Sequence, residues 1–125
     1  MTTSSYSNPS LSSRTFNLFV FEGSDWCVNC RRLEKNILSD TTFVSFLDEK
    51  QITLTRVDFP QRTKQNSQVK KNNELLAERY NFDGVFPTLI LSRSDTLYYR
   101  KLYYNKKQDS KGMQDLILTQ LKVLK

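Results

Sequence analysis

The chain has 125 residues, of which 38% are hydrophobic and 26% charged, and this is typical of one domain with its own hydrophobic core. It contains no His, which excludes a Ser-His-Asp triad, a Cys-His pair and most zinc or haem sites. The net charge is +6, and residues 93–107 contribute most of it, because they contain five basic residues and one acid. Proteins that bind nucleic acid usually spread their positive charge over a larger part of the surface.

The first 13 residues differ in composition from the rest of the chain. Six of them are Ser and hardly any is apolar, so residues 1–13 are predicted to be a disordered leader or linker and residues 14–125 a single domain. They lack the apolar core of a signal peptide, and no apolar run in the sequence approaches the roughly 20 residues that cross a bilayer. We therefore expect either a cytoplasmic protein or an exported one whose leader or anchor has been removed.

Hydrophobic periodicity and capping residues predict the secondary structure of residues 14–125. The predicted elements are a strand at 16–21, a helix from residue 26 capped by Ser24 or Asp25, a short helix capped by Ser39 or Asp40, a strand at 52–59, a helix ending at residue 81, strands at 85–91 and 96–104, and a last helix capped by Asp109 or Ser110. The order β-α-(α)-β-α-β-β-α combines parallel crossovers with a hairpin. It predicts an α/β fold in which helices flank both faces of a mixed central sheet.

The two cysteines of the chain, Cys27 and Cys30, lie where the first strand gives way to a helix. A spacing of i, i+3 places both sulfurs on one side of the first helical turn, within reach of a disulfide. The positive end of the helix stabilises an anion, so we expect Cys27 to ionise more readily than a free cysteine, and Cys30 to stay protonated until needed. The spacing thus predicts an attacking thiolate followed by a resolving thiol.

Three alternative interpretations of the pair agree less well with the sequence. A structural zinc site needs four ligands, and two Cys without His supply half of them. A structural disulfide that closes so short a loop would stabilise the fold little. A buried, inert pair is disfavoured because the polar turn and Trp26 before Cys27 predict that the pair is exposed.

The residues around the pair resemble the thioredoxin superfamily. Residues 21–30, Phe-Glu-Gly-Ser-Asp-Trp-Cys-Val-Asn-Cys, are similar to its W-C-x-x-C active site. Within this superfamily, the sequence resembles in particular the bacterial periplasmic disulfide oxidoreductases of the chlamydial disulfide-bond protein type. Three segments carry this resemblance: Gly-Ser-Asp-Trp-Cys (GSDWC) at 23–27, Val-Asp-Phe-Pro at 57–60 and Phe-Pro-Thr at 86–88. The resemblance extends from residue 16 to the C terminus in element order. It implies a thioredoxin fold and a redox-active Cys27-x-x-Cys30 centre that needs no metal or organic cofactor.

The same resemblance implies a substrate groove. Pro87 matches the cis-proline of the superfamily, which lies against the active-site cysteines. With Trp26, Phe86 and Thr88 it would form a groove in which an extended client segment pairs with the protein backbone beside Cys27.

Two positions depart from the thioredoxin pattern. The buried Asp that many thioredoxins carry in the first strand has no direct counterpart, and Glu22 is the nearest acid. Glu22 is therefore either a proton acceptor that helps to deprotonate the resolving cysteine or a solvated side chain. The Val-Asn pair between the cysteines replaces the Gly-Pro of thioredoxins, which leaves open whether the protein reduces, oxidises or isomerises disulfides.

Together these features predict a thiol:disulfide oxidoreductase that exchanges disulfides with protein clients, acts as a monomer and is reset by a separate redox partner. A bacterial envelope location is favoured, with a cytoplasmic reductase as the alternative. The alternative function is a redox-inert binding module that keeps the thioredoxin fold. Nucleic-acid binding by the aromatic and basic segment 96–107 is disfavoured, because this pattern is also typical of a half-exposed edge strand whose cations discourage aggregation.

Overall fold

The computed structural model describes residues 14–95 and 98–124, and its elements follow the predicted order. In chain order they are β1 (Phe16–Glu22), α1 (Val28–Leu33), a π-helical turn (Glu34–Leu38), α2 (Thr41–Glu49), β2 (Ile52–Asp58), α3 (Ser67–Arg79), β3 (Thr88–Arg93), β4 (Tyr99–Tyr103) and α4 (Ser110–Leu124). The predicted disordered segment 1–13 and the first two residues of the strand predicted at 96–104 lie outside the described residues. Among the described residues, no helix has both the length and the apolar content of a membrane span.

The four strands form one mixed sheet, as predicted, and their order in it is β2-β1-β3-β4. β1 pairs with β2 in parallel, from Phe16 opposite Ile52 to Glu22 opposite Asp58, whereas the β1–β3 and β3–β4 pairs are antiparallel. The carboxyl ends of two parallel strands meet at the same end of a sheet. Glu22 and Asp58 therefore lie side by side where the chain leaves β1 for the cysteines.

Side chains that alternate along β1 contribute to two separate cores, one on each face of the sheet. The larger, mainly aliphatic core packs β1 against α1, α2 and α4, and includes Leu18, Val20, Leu33, Ile37, Phe43, Leu47, Met113, Ile117 and Leu121. The smaller core is largely aromatic and packs the other face against α3; it includes Phe19, Phe21, Phe59, Tyr80, Phe82 and Tyr99. Helices therefore cover both faces of the sheet, which confirms the prediction.

The start of the first helix differs from the prediction. The carbonyl of Gly23 accepts hydrogen bonds from the backbone N–H groups of Trp26 at 3.2 Å and Cys27 at 2.8 Å. These bonds hold the chain in a turn, so α1 begins after Cys27 and not after Ser24 or Asp25. The first cysteine itself thereby occupies the N-cap position.

The other helix ends agree with local sequence signals. The carboxylate of Asp40 accepts the backbone N–H of Phe43 at 3.2 Å at the start of α2, and Asp109 accepts that of Gly112 at 2.8 Å at the start of α4. α3 stops at Arg79, two residues before the predicted end, and Asn81 has a left-handed φ of 53°, a common way to end a helix.

The last two strands are shorter than predicted. β3 begins at Thr88, where pairing with β1 starts, so residues 85–87 belong to the loop before it. β4 begins at Tyr99 and forms one edge of the sheet, with side chains that are mostly half-buried or exposed. This confirms the predicted edge strand within the described residues.

Candidate active site

The two cysteines form a disulfide at the first turn of α1, with their Cα atoms 5.2 Å apart. Cys27 has an extended backbone, with φ −95° and ψ 110°, and its sulfur accepts the backbone N–H of Cys30 at 3.2 Å. This is the geometry of an N-cap residue, whose side chain binds an otherwise unpaired N–H at the positive end of a helix. The same contact would stabilise a thiolate at Cys27 after the disulfide is reduced.

The exposure of the pair differs from the prediction. Only 7% of Cys27 and 1% of Cys30 is accessible to solvent, so both are buried, although the following residue, Val28, is 56% exposed. The burial follows from their place between the end of β1 and the first helical turn. Cys27 nevertheless keeps the larger accessible surface of the two.

Glu22 is buried behind the resolving cysteine, which excludes the solvated orientation. It is 6% exposed and, with Ser24, Cys30, Arg31 and Glu34, it lines a cavity of about 90 Å³. Burial is the main reason that the pKa of Glu22 is raised from 4.5 to about 7. The cavity thus brings together a thiol side chain and a carboxyl group that titrates near neutral pH.

Three charged side chains surround the Glu22 carboxyl group and modify this effect. The carboxylates of Asp58 and Glu34 add to the rise in the pKa of Glu22, and the guanidinium of Arg56 opposes it. Arg56 and Glu34 form an ion pair through two hydrogen bonds of 2.7 and 2.9 Å. Glu22 therefore titrates next to a fixed, already paired carboxylate.

Asp58 joins the active-site loop to the end of β2. Its two carboxylate oxygens accept the backbone N–H of Ser24 at 2.8 Å and the hydroxyl of Ser24 at 2.6 Å. A charged acceptor bound by two donors is among the stronger hydrogen-bonded arrangements in proteins. It fixes the loop two residues after Glu22 and three residues before Cys27.

Asp25 joins the same loop to the segment that follows β2. Its carboxylate accepts the backbone N–H groups of Gln61, Arg62 and Thr63 at 2.8 to 3.0 Å. These hydrogen bonds, that of Gln61 first, hold the pKa of Asp25 below its usual value. Asp25 was predicted as a possible helix cap, and it instead binds a loop distant in sequence.

The predicted groove residues lie together at this end of the sheet. The rings of Trp26 and Phe86 meet edge to face with centroids 5.1 Å apart, and the indole N–H of Trp26 donates to the carbonyl of Phe59 at 2.8 Å. The peptide bond between Phe86 and Pro87 is cis. Thr88 is fully buried, pairs with β1 and donates its hydroxyl to the carbonyl of residue 85 at 2.5 Å.

The backbone of Phe86 takes part in no backbone hydrogen bond among the described residues, 14–95 and 98–124, either through its N–H or through its carbonyl. Its ring, in contrast, is held by Trp26, by Phe82 at 4.9 Å and by Phe59 at 6.0 Å. A fixed residue with unpaired backbone groups is suited to pairing with an extended peptide.

Comparison with known proteins assigns the family. A family model described as thioredoxin-like matches residues 10–92, which is more than half of the chain. The chain belongs to the thioredoxin-like family. It is 34% identical over 70 residues to the disulfide bond reductase DsbH of Chlamydia pneumoniae, a match that covers 56% of this chain and 41% of the relative. The chain thus matches less than half of the length of this curated relative.

Solved structures confirm the thioredoxin-like fold. A DsbH oxidoreductase superposes with a TM-score of 0.77 at 24% identity, covering 87% of this chain and 74% of that one. A thioredoxin from Thermus thermophilus superposes with a TM-score of 0.55 at 15% identity, covering 84% of this chain and 72% of that one. The element order, the mixed sheet and the position of the CxxC pair are those expected from the resemblance.

Three residues shape this thioredoxin-like site in ways that were not predicted, although two of them, Asp58 and Phe59, belong to the Val-Asp-Phe-Pro motif that carries the resemblance. Asp58 and Phe59 hold Ser24 and Trp26 by hydrogen bonds, and Arg56 pairs with Glu34 beside Glu22. A signal for Asp58 was present, because acids that end two parallel strands meet at the same end of the sheet. For the backbone carbonyl of Phe59, no sequence signal exists.

Proposed function

We propose that this chain reduces disulfides of protein clients through thiol–disulfide exchange at Cys27 and Cys30. The observation that carries the proposal is the disulfide at the first turn of α1, in which the sulfur of Cys27 is the N-cap of the helix. The direction of the reaction is supported by the 34% identical relative, which is described as a disulfide bond reductase. The same steps in reverse would oxidise a client.

Two exchange steps account for the reaction. The thiolate of Cys27 attacks one sulfur of the client disulfide; the client S–S bond breaks, a mixed disulfide forms, and the other client sulfur leaves and takes up a proton. Cys30 then loses its proton and attacks the sulfur of Cys27, so that the second client sulfur leaves and is protonated in turn. The client gains two electrons and two protons, and the Cys27–Cys30 pair becomes oxidised.

Glu22 is proposed as the proton acceptor for Cys30 in the second step. Both side chains line the same cavity of about 90 Å³, and the pKa of Glu22 is raised to about 7. A group with such a pKa is partly ionised at neutral pH and can both take up and release a proton there. The acceptor can act directly or through one water molecule in the cavity.

The client is proposed to lie along the partly exposed Trp26 and Phe86; Pro87 and Thr88, predicted to line the groove, are buried beneath this surface and would support it. An extended segment would pair with the unpaired backbone groups of Phe86 and place its disulfide beside Cys27. We further propose that the protein acts as a monomer in the bacterial cell envelope, and that a dithiol partner protein returns the oxidised pair to its reduced form. The resemblance of the GSDWC segment to envelope oxidoreductases supports this location.

Two cysteine variants test the proposed function. Cys30→Ser should accumulate covalent client adducts, because the mixed disulfide forms but is not resolved, and Cys27→Ser should abolish the reduction of insulin. The adducts should disappear on treatment with dithiothreitol and be absent from the double variant Cys27→Ser/Cys30→Ser. Insulin reduction by Cys27→Ser at the rate of the unmodified protein would refute the proposed role of Cys27. Absence of insulin reduction by the unmodified protein itself would favour the redox-inert binding module.

A further inference from the structure

A second groove lies next to the active-site loop, between residues 59–66 and the N-terminal half of α3. Its volume is about 450 Å³. Phe59 and Pro60 form an apolar part of its wall, and Lys64, Lys70 and Glu74 are the charged residues that line it. The proposed reaction uses none of these three charged side chains.

The surroundings of this groove are strongly basic. Residues 59–74 contain four basic side chains, Arg62, Lys64, Lys70 and Lys71, against the single acid Glu74, and all four are exposed. Within the described parts of the chain, none of the four forms an ion pair, whereas Arg14, Arg56, Arg93, Lys101 and Lys111 each have a carboxylate partner. Cations without a carboxylate partner leave a positive potential at the groove.

Hydrogen bonds fix this groove relative to the cysteines. Residues 61–63, of which Thr63 lines the groove, are bound through their backbone N–H groups to the carboxylate of Asp25. The carbonyl of Phe59, another lining residue, is bound to the indole of Trp26. Asp25 and Trp26 directly precede Cys27 in the chain. A molecule that engages Cys27 therefore meets the basic groove at a constant distance and orientation.

We infer that this groove binds an acidic segment of the client protein next to the disulfide that is exchanged. The inference rests on the proposed function and deepens it, since it names the chemical class of client. Acidic side chains would face Lys64 and Lys70, while the apolar wall at Phe59 and Pro60 contacts the carbon chains of the same segment. The occupant is a protein segment, because Phe59 of the groove contacts both Trp26 and Phe86 of the proposed client surface, so the two surfaces are adjacent.

Binding of fluorescent peptides tests the groove without any redox step. Three extended peptides that carry Ser in place of Cys would be compared by anisotropy, with flanks rich in Glu, in Gln or in Lys. The unmodified protein should bind the acidic peptide most tightly. The variant Lys64→Gln/Lys70→Gln should bind the acidic peptide about three- to tenfold more weakly, because two exposed charge pairs are lost.

A matched control separates the groove from net charge. Lys106→Gln/Lys107→Gln removes the same charge from exposed positions of the other basic segment and should leave acidic-peptide binding unchanged. Equal affinity for the acidic and Gln-rich peptides, or an equal loss in both double variants, would overturn the inference. Tighter binding of single-stranded DNA of equal charge, lost in Lys64→Gln/Lys70→Gln, would also overturn it.

Reduction of the corresponding disulfide peptides distinguishes failure of the inference from failure of the proposed function. If acidic and Gln-rich disulfide peptides are reduced with the same kcat/KM, the acidic docking site is refuted, whereas the proposed oxidoreductase function is supported. Failure to reduce any of the disulfide peptides would refute the proposed function, even if the binding preference for the acidic peptide persists. A higher kcat/KM for the acidic peptide that falls in Lys64→Gln/Lys70→Gln would support both.

Discussion

Replacing Glu22 with Gln should stabilise the oxidised protein at alkaline pH and leave its stability in acid unchanged. In the folded state the pKa of Glu22 is raised from 4.5 to about 7, so the folded protein holds this proton more tightly than the unfolded chain. Stability therefore falls as the pH rises from about 4.5 to 7 and stays at the lower level above that range. Gln does not titrate, so Glu22→Gln removes this loss.

The size of the effect follows from the same values. A rise of the pKa from 4.5 to about 7 corresponds to about 3 kcal/mol, at about 1.4 kcal/mol per pH unit. The exposed Ser24 and Arg31 border the same cavity, so water can screen part of this cost. We therefore expect Glu22→Gln to gain about 1–2 kcal/mol at pH 8 and close to nothing at pH 4.

Urea denaturation of the oxidised protein, followed by circular dichroism at both pH values, measures this difference. Glu78→Gln is the matched control, because Glu78 is exposed on α3 and should show the same small change at both pH values. An equal stability change of Glu22→Gln at pH 4 and pH 8, or a loss at pH 8, would refute the electrostatic account of this site.

The same substitution tests the proposed catalytic role of Glu22. Gln cannot accept the proton of Cys30, so the mixed disulfide should persist longer, by a factor on the order of 100 at neutral pH. The measurement is the rate at which the mixed disulfide between Cys27 and a client disappears once excess client has been rapidly removed. Decay at the rate of the unmodified protein would show that another group, or solvent, accepts the proton.

Three further substitutions test the fold around the site. Gly23→Ala places a Cβ within the indole ring of Trp26, so we expect a shift in the emission of this single Trp and about 1–3 kcal/mol lower stability; unchanged emission would contradict the overlap. Ile117→Ala leaves a cavity in the larger core and should cost about 2–5 kcal/mol in urea denaturation, whereas a loss below about 1 kcal/mol would contradict close packing of α4. Asp40→Ala should cost about 1 kcal/mol through the lost cap of α2 and Asp40→Asn much less; equal losses in urea denaturation would argue against the cap.

Prediction from sequence succeeded where the information is local. The short aromatic and β-branched run of β1, the cap at Asp40 and the apolar face of α4 are each visible within one segment of the sequence. The CxxC pair is equally local, and its placement at a strand–helix junction predicted the disulfide. The mixed character of the sheet followed from the alternation of strands and helices, since parallel neighbours need a crossover, whereas the order β2-β1-β3-β4 was not predicted.

The parts of the site that depend on distant residues were not predictable in the same way. Asp25 was read as a helix cap because its partners, the N–H groups of residues 61–63, lie 36 to 38 positions away in sequence. The raised pKa of Glu22 depends on its burial in the folded protein and on the charges of Asp58 and Arg56 in β2, more than 30 residues away in sequence. The buried state of the cysteines was missed for the same reason, because a polar local sequence says little about what packs over it.

The aromatic contacts of Phe86 determine how the conformational cost of the proposed client binding is divided between the protein and the client. Its ring touches the rings of Trp26, Phe59 and Phe82 in the free protein, so it is already immobilised before a client arrives. Contact with a preorganised surface costs the protein little entropy, and the remaining cost comes from ordering the client. Disulfides held in rigid, extended segments should accordingly be engaged in preference to those in mobile loops of the same composition.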